Sequence, residues 1–396
     1  MLDSSGARAR HSITTGFMST LLPLYESGAC PPTDANFVDA ERAKANISKI
    51  AINLYCPSQT IDDYAQLLCK EFALRKPTAN PHQALASLWW LGSPLKQFSP
   101  EGVTELCFRL ASQFPHTQTP YTRGLVVTPM DIDGDSLALL KGLDFNAIKI
   151  NIDASIASSD RSLSSLESAL DALSDYQAFN LSSTVRYGAQ SHPDFLSRLI
   201  ETLETFNCTH IKVISRTSGP SSLEEHDFCR KQLDAINVYF KNSGWLVCGN
   251  NNFYAPSHPI VKSHQQENLE ASPWGYHPRQ ITSWFGLGIG ALTLQEGNYQ
   301  QNTVSEELYR RLLARKTLPV DTCLTLKKDQ QNSYHAIQNL LCQHQIRSQD
   351  SALRDQLALL KNHDWLSIDE KNVSLTQSGI INLSALCQQL SAKAHD

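Results

Sequence analysis

Between Lys49 and Glu71 the chain shows the pattern that frames the rest. Ile50 to Tyr55 is a short apolar run, the mark of a strand buried in a parallel sheet. Cys56-Pro57-Ser58 breaks it. Thr60 then offers a helix N-cap, Asp62 and Asp63 sit in the first turn, and Tyr64, Leu67, Leu68 and Phe72 recur at helical spacing. The pattern predicts a strand, a tight turn and a helix, with one cysteine at the strand's carboxyl end. In barrels of alternating strands and helices the chemistry sits at that end.

The same alternation continues downstream. Strands are predicted at Ala84–Leu91, Gly124–Thr128, Ala147–Ile152, Phe179–Tyr187 and His210–Ile214. Helices are predicted from Ser99 to Phe114 and over Asp135–Gly142, Leu163–Leu173 and Phe195–Phe206. This argues for an α/β fold, a parallel sheet with right-handed crossovers curled into an incomplete (β/α) TIM-like barrel of about six parallel strands. Ser222 to Ser243 reads as a long helix and Trp245 to Cys248 as a strand. Asn250-Asn251-Asn252 reads as the start of a loop too polar for a core. Beyond Pro319 the pattern reads as purely helical until Trp365–Leu375, a hairpin turning at Glu370-Lys371-Asn372, followed by a last helix. The resulting division is a loosely ordered arm over 1–46, with a short helix at Ala40–Ser48, a barrel over 47–319 and a helical, winged-helix-like unit over 320–396.

Composition narrows the class. Hydrophobic residues make up 41% and charged ones 18%, as in an ordinary globular chain. A net charge of −5 gives no electrostatic reason to expect nucleic acid as a partner. No stretch reaches the roughly 20 apolar residues of a membrane span. Met1 to Thr20 has Arg8 and Arg10 but no apolar core, so a secretory signal is not expected. Ten scattered cysteines without a C-x-x-C pair read as buried thiols of a cytoplasmic protein.

Several motifs tempt and fail. Gly286-x-Gly288-x-Gly290 lacks the lysine of a phosphate loop and the spacing of a dinucleotide fingerprint, so it reads as a tight turn with close backbone approach. Asp131, Asp133 and Asp135 alternate like a calcium loop, but Gly142 stands where the bidentate glutamate belongs. Trp89-Trp90 reads as core. His258, His264 and His277 match no zinc spacing and read as solvated loop residues.

The order of elements and several turns resemble the oxygen-independent coproporphyrinogen III oxidase family of radical S-adenosylmethionine proteins, including its anaerobic haem-utilisation branch. The resemblance runs from about Ile50 to Gln389. Gly92-Ser93-Pro94 with the following Phe-Ser-Pro-Glu is similar to the family's glycine-rich turn and helix start. Tyr187-Gly188 resembles the end of its fifth strand, and Gly244-Trp245 through Asn252-Phe253 its Gly-Tyr strand and Asn-Phe turn. Gly286 to Ala291 resembles its G-x-G-x-G-A segment. Tyr299–Asn302, Tyr309 and Pro319 resemble its closing stretch, and Leu375-Thr376-x-x-Gly379 its terminal L-T-x-x-G. The resemblance implies a 4Fe–4S cluster on C-x-x-x-C-x-x-C and a bound S-adenosylmethionine.

Against that pattern this chain departs. Cys56 stands at the first cluster position, but the family's histidine falls on Ile52 and the next cysteine is Cys69, inside the predicted helix. Three converging thiolates are needed and one cannot replace them. Trp90-Leu91-Gly92 replaces the triple glycine and puts an indole where backbone would approach the cofactor. The strand-three glutamate falls on Val126, the strand-four glutamine on Asp153, and the strand-five aspartate near Thr184.

The expectation is a non-catalytic relative, without cluster or S-adenosylmethionine, that handles haem or another tetrapyrrole or supports a protein partner that does. Two alternatives stand beside it: an active radical enzyme with unusual cluster ligands, and a protein-interaction scaffold. The candidate binding residues are Gly92, Ser93, Pro94 and Gly188, carried over from the resemblance, with Arg186 and Arg216 either as cations for the propionates of a tetrapyrrole or, in the alternative, paired with Asp153 or Glu201 and only neutralising the barrel. Lys149 shares a strand face with Asn151 and Asp153. No catalytic residue and no metal site are expected.

Overall fold

The computed structural model describes residues 25–28, 49–75, 84–111, 121–154, 160–176, 178–188, 193–215, 223–249, 251–295, 297–326, 330–347, 357, 364–369 and 372–393. The helix expected at Ala40–Ser48 lies outside them; within the predicted N-terminal arm the described piece is a short strand, β1 (Tyr25–Gly28). The chain divides into two compact units.

The larger unit comprises 27–216 and 280–324. It begins with the predicted strand and helix, β2 (Lys49–Cys56) and α1 (Tyr64–Arg75). The helix starts one turn later than a Thr60 cap would set it, because Asp63 takes a left-handed conformation, φ 57°. Next come β3 (Ala84–Gly92), the single turn α2 (Pro94–Gln97), α3 (Pro100–Ala111) and β4 (Thr122–Val127). A 3₁₀ turn at Pro129–Asp131 leads into α4 (Gly134–Gly142), then β5 (Ala147–Asp153) and α5 (Asp160–Tyr176). The series closes with β6 (Asn180–Tyr187), α6 (Pro193–Thr205) and β7 (His210–Ser215). Strands β2 to β7 are neighbours in that order, each pair parallel. The aspartates that imitate a calcium loop have local partners: Asp131 accepts from the Thr128 amide and hydroxyl, and Asp133 caps α4 through the Ser136 amide.

The other edge of β2 is taken by a strand from far downstream. β12 (Ile281–Leu287) runs parallel to β2, and β13 (Leu292–Gln295), β14 (Asn298–Asn302) and β15 (Val320–Leu326) extend the sheet antiparallel, with α9 (Glu306–Ala314) between the last two. The expectation of a purely helical stretch after Pro319 fails here. Val320–Leu326 carries half-buried residues at every other position, with exposed Asp321 and Thr325 and buried Cys323 between them, and it pairs with β14.

The second unit gathers residues before 27, 217–279 and 325–396. It holds α7 (Leu223–Asn242), a hairpin of β8 (Leu246–Cys248) and β9 (Asn252–Tyr254), α8 (Pro259–Gln265), and a second hairpin of β10 (Leu269–Ser272) and β11 (Gly275–Pro278). Asn252, expected in a polar loop, is a buried strand residue whose amide donates to the Asn251 side chain, 2.7 Å. After α10 (Gln331–Gln343) come β16 (Gln345–Arg347), β17 (Leu366–Ile368) and β18 (Asn372–Leu375), then α11 (Gln377–Ile381) and α12 (Leu383–Lys393). β17 and β18 form the predicted hairpin, with β16 on the far edge of β18. The Gln338 side chain of α10 bonds both the amide and the carbonyl of Ala271, each 2.9 Å, over a core of Cys248, Tyr254, Ile260, Leu269 and Cys342.

Among the described cysteines, Cys56, Cys107, Cys208, Cys229, Cys248, Cys342 and Cys387 are buried free thiols. Cys323 is disulfide-bonded, so the reading of the cysteines as thiols throughout fails at that residue.

Candidate functional site

Cys56 ends β2, and its surroundings are built by the next strand. Its carbonyl accepts a hydrogen bond from the Ser93 amide, 3.2 Å. Gly92 crosses it in a left-handed conformation, φ +88°, and a Cβ there would lie 1.9 Å from the Cys56 oxygen, so no other residue fits. Ser93 holds the N-cap position of α2 and Pro94 follows in its first turn, where a missing amide hydrogen costs nothing. Gly92-Ser93-Pro94 therefore ties the ends of β2 and β3 together.

A 4Fe–4S cluster does not fit these residues. The Cys56 side chain is buried, and burial pushes its thiol far above the usual cysteine range, opposing the thiolate a cluster requires. Cys69 lies on α1 in the electrostatic company of Arg109 and Glu105. Among the described residues no three His, Cys, Asp or Glu side chains converge to hold a metal. Ile52, at the position of the family's histidine, is buried core.

Trp90 is core, as the sequence reading of Trp89-Trp90 has it, and its packing shows which way the indole points. It is fully buried, 0% exposed, with its ring edge-on to Phe98 and Phe145 at 5.8 Å each. Phe98 in turn stacks on Tyr64 of α1, 6.1 Å between centroids. Trp90 thus points into the layer of crossover helices and away from any ligand on the other side of the sheet. Trp89 takes the opposite face, with its ring against Gly124, where a Cβ would come within 2.5 Å.

These contacts assign the faces of the sheet. Strand register carries Trp89 to Gly124, and alternation along β4 adds Val126; across β4 to β7 the register then joins Val126 to Lys149, Ser182 and His210. Asn151, Thr184 and Lys212 form the next row on that face, and Asp153, Arg186 and Ile214 the row at the strands' carboxyl ends. The opposite, helix-covered face carries the buried Ile148, Ile150, Ile152, Val185, Ile211 and Val213. The face turned away from the crossover helices is therefore largely polar across β5 to β7, and it carries Lys149, Lys212 and Arg186. Burial draws the Lys149 ammonium down from its ordinary 10.5 to about 8, helped by the charges of Lys212 and Arg186 and opposed by Cys208. Lys212 is lowered by the same two causes, burial first and then Arg186. Gly188, just past β6, is buried. Arg216 lies outside the described residues.

A second constellation escaped the sequence reading. Glu71 is 0% exposed, and its carboxylate accepts from Arg75 Nε (2.8 Å), the Gly288 amide (2.7 Å), Tyr309 Oη (2.7 Å) and Asn302 Nδ2 (2.8 Å). Tyr64 donates to the Tyr55 carbonyl, 2.6 Å, and accepts from the Ile289 amide, 3.0 Å. The G-x-G-x-G segment is thus held by α1. Gly288 has φ +111°, and a Cβ there would lie 2.4 Å from the Tyr64 hydroxyl and 2.7 Å from the Tyr55 carbonyl. The tight-turn reading of these glycines holds. The available signal for Glu71 was its place on the apolar stripe of α1: Tyr64, Leu67, Leu68, Glu71, Phe72 and Arg75 form one buried face.

The three histidines do not converge on a metal among the described residues. His258 caps α8 by accepting from the Ile260 amide, 3.2 Å, and burial lowers it to about 4. His277 is 5% exposed within β11, which corrects its reading as solvated.

No family model matches the chain. It is similar to the oxygen-independent coproporphyrinogen III oxidase of Synechocystis sp., 19% identical over 315 residues, 73% of this chain and 66% of the relative. The enzyme of the same name from Helicobacter pylori is 19% identical over 288 residues, 67% of this chain and 62% of the relative. The chain therefore spans somewhat less than two thirds of these relatives' length. In fold it matches a solved structure of coproporphyrinogen III oxidase from Escherichia coli, described as a radical SAM enzyme. The TM-score is 0.76 at 16% identity, covering 89% of this chain and 92% of that one. In sequence and in fold, this chain resembles the oxygen-independent coproporphyrinogen III oxidases.

Proposed function

We propose that this protein is a non-catalytic relative of the oxygen-independent coproporphyrinogen III oxidases that binds or hands over a tetrapyrrole. The observation that carries the reading is Cys56. The family's frame is present around it, yet its thiol is sealed by burial and no converging thiolates accompany it among the described residues. On this reading β2 to β7 form an incomplete barrel, and α10 to α12 with β16 to β18 a winged-helix-like unit. The inner face receives the ligand, with Arg186 at the rim of the strands meeting a propionate. A buried carboxylate needs such a partner.

The test has two parts. Anaerobic reconstitution with iron and sulfide is expected to leave the protein colourless. Titration with haem and with coproporphyrin is expected to show saturable binding that weakens in Arg186→Ala. Stoichiometric iron and sulfide with a charge-transfer band that vanishes in Cys56→Ala would restore the radical-enzyme reading. Absence of any tetrapyrrole binding would remove the carrier role.

A further inference from the structure

Two buried thiols of the second unit share one core. Cys248 ends β8 and Cys342 lies in the last turn of α10, and both pack with Tyr254, Ile260, Leu269 and Ala271. The backbone fixes how they stand. The Gly249 amide, directly after Cys248, donates to the carbonyl of Leu341, directly before Cys342, at 2.9 Å. Standard bond lengths across that bridge hold the two Cα atoms no more than about 8 Å apart. A disulfide spans about 4.4–6.8 Å between Cα atoms, so the pair is at bridging distance or within about 1–2 Å of it. The turn is gripped a second time from the same helix end. His344, just past α10, is lowered to about 4 by burial, so it is uncharged at neutral pH, and its Nε2–H donates to the Gly249 carbonyl, 2.7 Å.

As packing alone, small apolar residues would fill the same space. What two neighbouring cysteines add is redox chemistry. Burial raises both thiols, and the charge of Cys248 adds to the rise at Cys342, since a thiolate in this core is desolvated and repelled by its neighbour. A disulfide is neutral and carries neither cost.

We propose that Cys248 and Cys342 are a redox-modification site, a dithiol that an organic hydroperoxide closes to a disulfide, fastening the β8–β9 hairpin to α10. The inference goes beyond the tetrapyrrole reading and does not depend on it. The Cys248 thiolate attacks the peroxide, the O–O bond breaks, an alcohol leaves and a sulfenic acid remains. The Cys342 sulfur then attacks the Cys248 sulfur, the S–S bond forms and water leaves. Two thiols give up two electrons and two protons, and the peroxide is reduced to alcohol and water. A small dithiol reverses the bond by exchange, becoming a disulfide itself. Entry is through β8, which has three residues with Leu246 and Val247 half-buried, so its separation from β9 uncovers Cys248.

The experiment uses the full chain, reduced with dithiothreitol, freed of it and exposed to tert-butyl hydroperoxide in native buffer until the half-exposed Cys69 is oxidised. Remaining thiols are capped with N-ethylmaleimide in denaturant, and peptides are mapped by mass spectrometry. The expected result is a peptide pair joined through Cys248 and Cys342 as the major cross-link, with loss of both free thiols and separation by dithiothreitol. Oxidised wild type should unfold at higher urea than reduced wild type, and the Gly249 amide should exchange more slowly. Both differences should vanish in Cys342→Ala. Oxidation at Cys69 without a Cys248–Cys342 cross-link overturns the proposal. So does a cross-link that forms only in denaturant, or Cys248 joined as often to another cysteine. The cross-link is read on wild type, so a Cys342→Ala protein that fails to fold leaves the test intact. No porphyrin enters the experiment, and its failure is distinguishable from failure of the haem titration.

Discussion

Glu71 offers the sharpest test of how this architecture is held together. Its carboxylate is the common acceptor for Arg75, Asn302, Tyr309 and the backbone of Gly288, and it joins α1 to the turn after β12, to β14 and to α9. Glu71→Ala removes the countercharge of a buried arginine, whose remaining contact of this set is Asn302 Oδ1 at 2.8 Å. Breaking a buried pair from one side costs about 3–5 kcal/mol. It also strands the Gly288 amide and the Tyr309 hydroxyl, at roughly 1–3 kcal/mol for each donor left dry, although the terms overlap and do not add. A loss of about 4 kcal/mol is therefore expected. Glu71→Gln keeps the shape but turns an amide NH₂ toward two of the four donors, either Arg75 with Asn302 or Gly288 with Tyr309, and about 2–3 kcal/mol is expected. Substituting Arg75→Met in the Glu71→Gln background should cost less than the two changes measured apart, because the pair is removed together. Urea unfolding followed by circular dichroism measures the global cost, and hydrogen exchange at Gly288 and Ile289 measures the local one. A Glu71→Ala protein within about 1 kcal/mol of wild type, with those amides still protected, would show that the network is not what fixes the segment.

Three further outcomes follow from the same structure. Gly288→Ala should destabilise by about 3 kcal/mol or more, since it combines a left-handed backbone with a clash against Tyr64 and Tyr55, and thermal denaturation would read it. For Lys149, a folded pKa of about 8 below the ordinary 10.5 means that the protonated form opposes folding. The cost is complete below about pH 8, is relieved between 8 and 10.5 and is absent above. A drop of that size corresponds to about 3 kcal/mol, reduced to roughly 1–2 because the side chain keeps partial contact with water. Lys149→Met should thus be more stable than wild type at pH 7 and equal to it at pH 10.5, in paired urea titrations. Cys56 should resist iodoacetamide in the native protein at pH 8 and react only on unfolding, whereas the half-exposed Cys69 should be modified first; mass spectrometry of timed digests would distinguish them.

The alternation of strands and helices was legible because buried parallel strands are short apolar runs and their crossovers carry amphipathic helices, so β2 to β7 fall where the pattern places them. The polar side of β5 was equally visible, since Lys149, Asn151 and Asp153 alternate with isoleucines. Which side faced the helices was not, because alternation separates two faces without naming them; the Trp90–Phe98–Phe145 contact decides it. Lys212 escaped notice for a related reason: its proximity to Lys149 depends on the register of three strands. Glu71 was hidden by chemistry, since an acid in a helix is ordinarily solvated and only its four partners, drawn from α1 itself and from the Gly288–Tyr309 region far downstream, explain its burial. Asn252 was misjudged because polar content stood in for exposure, and Val320–Leu326 was read as helical because the strand that pairs with it, β14, lies about 20 residues earlier and leaves no local signal.

The pairing of β2 with β12 has a consequence for how the protein is made. Ile50 lies opposite Ser283 and Leu54 opposite Leu287, so one edge of the first long strand has its partner about 230 residues later. At a ribosomal rate of about 5–20 residues per second, that partner emerges roughly 10–45 s after β2 does. Through that interval β3 can cover one side of β2 while the other presents unpaired amides and carbonyls along an apolar strand, a template for association with other nascent chains. Long-range closure of this kind slows folding, because the loop's closure entropy, which grows with the logarithm of its length, is lost before the pairing compensates it. Chains terminated before Ile281 are therefore the ones in which aggregation, and engagement by chaperones, should be concentrated.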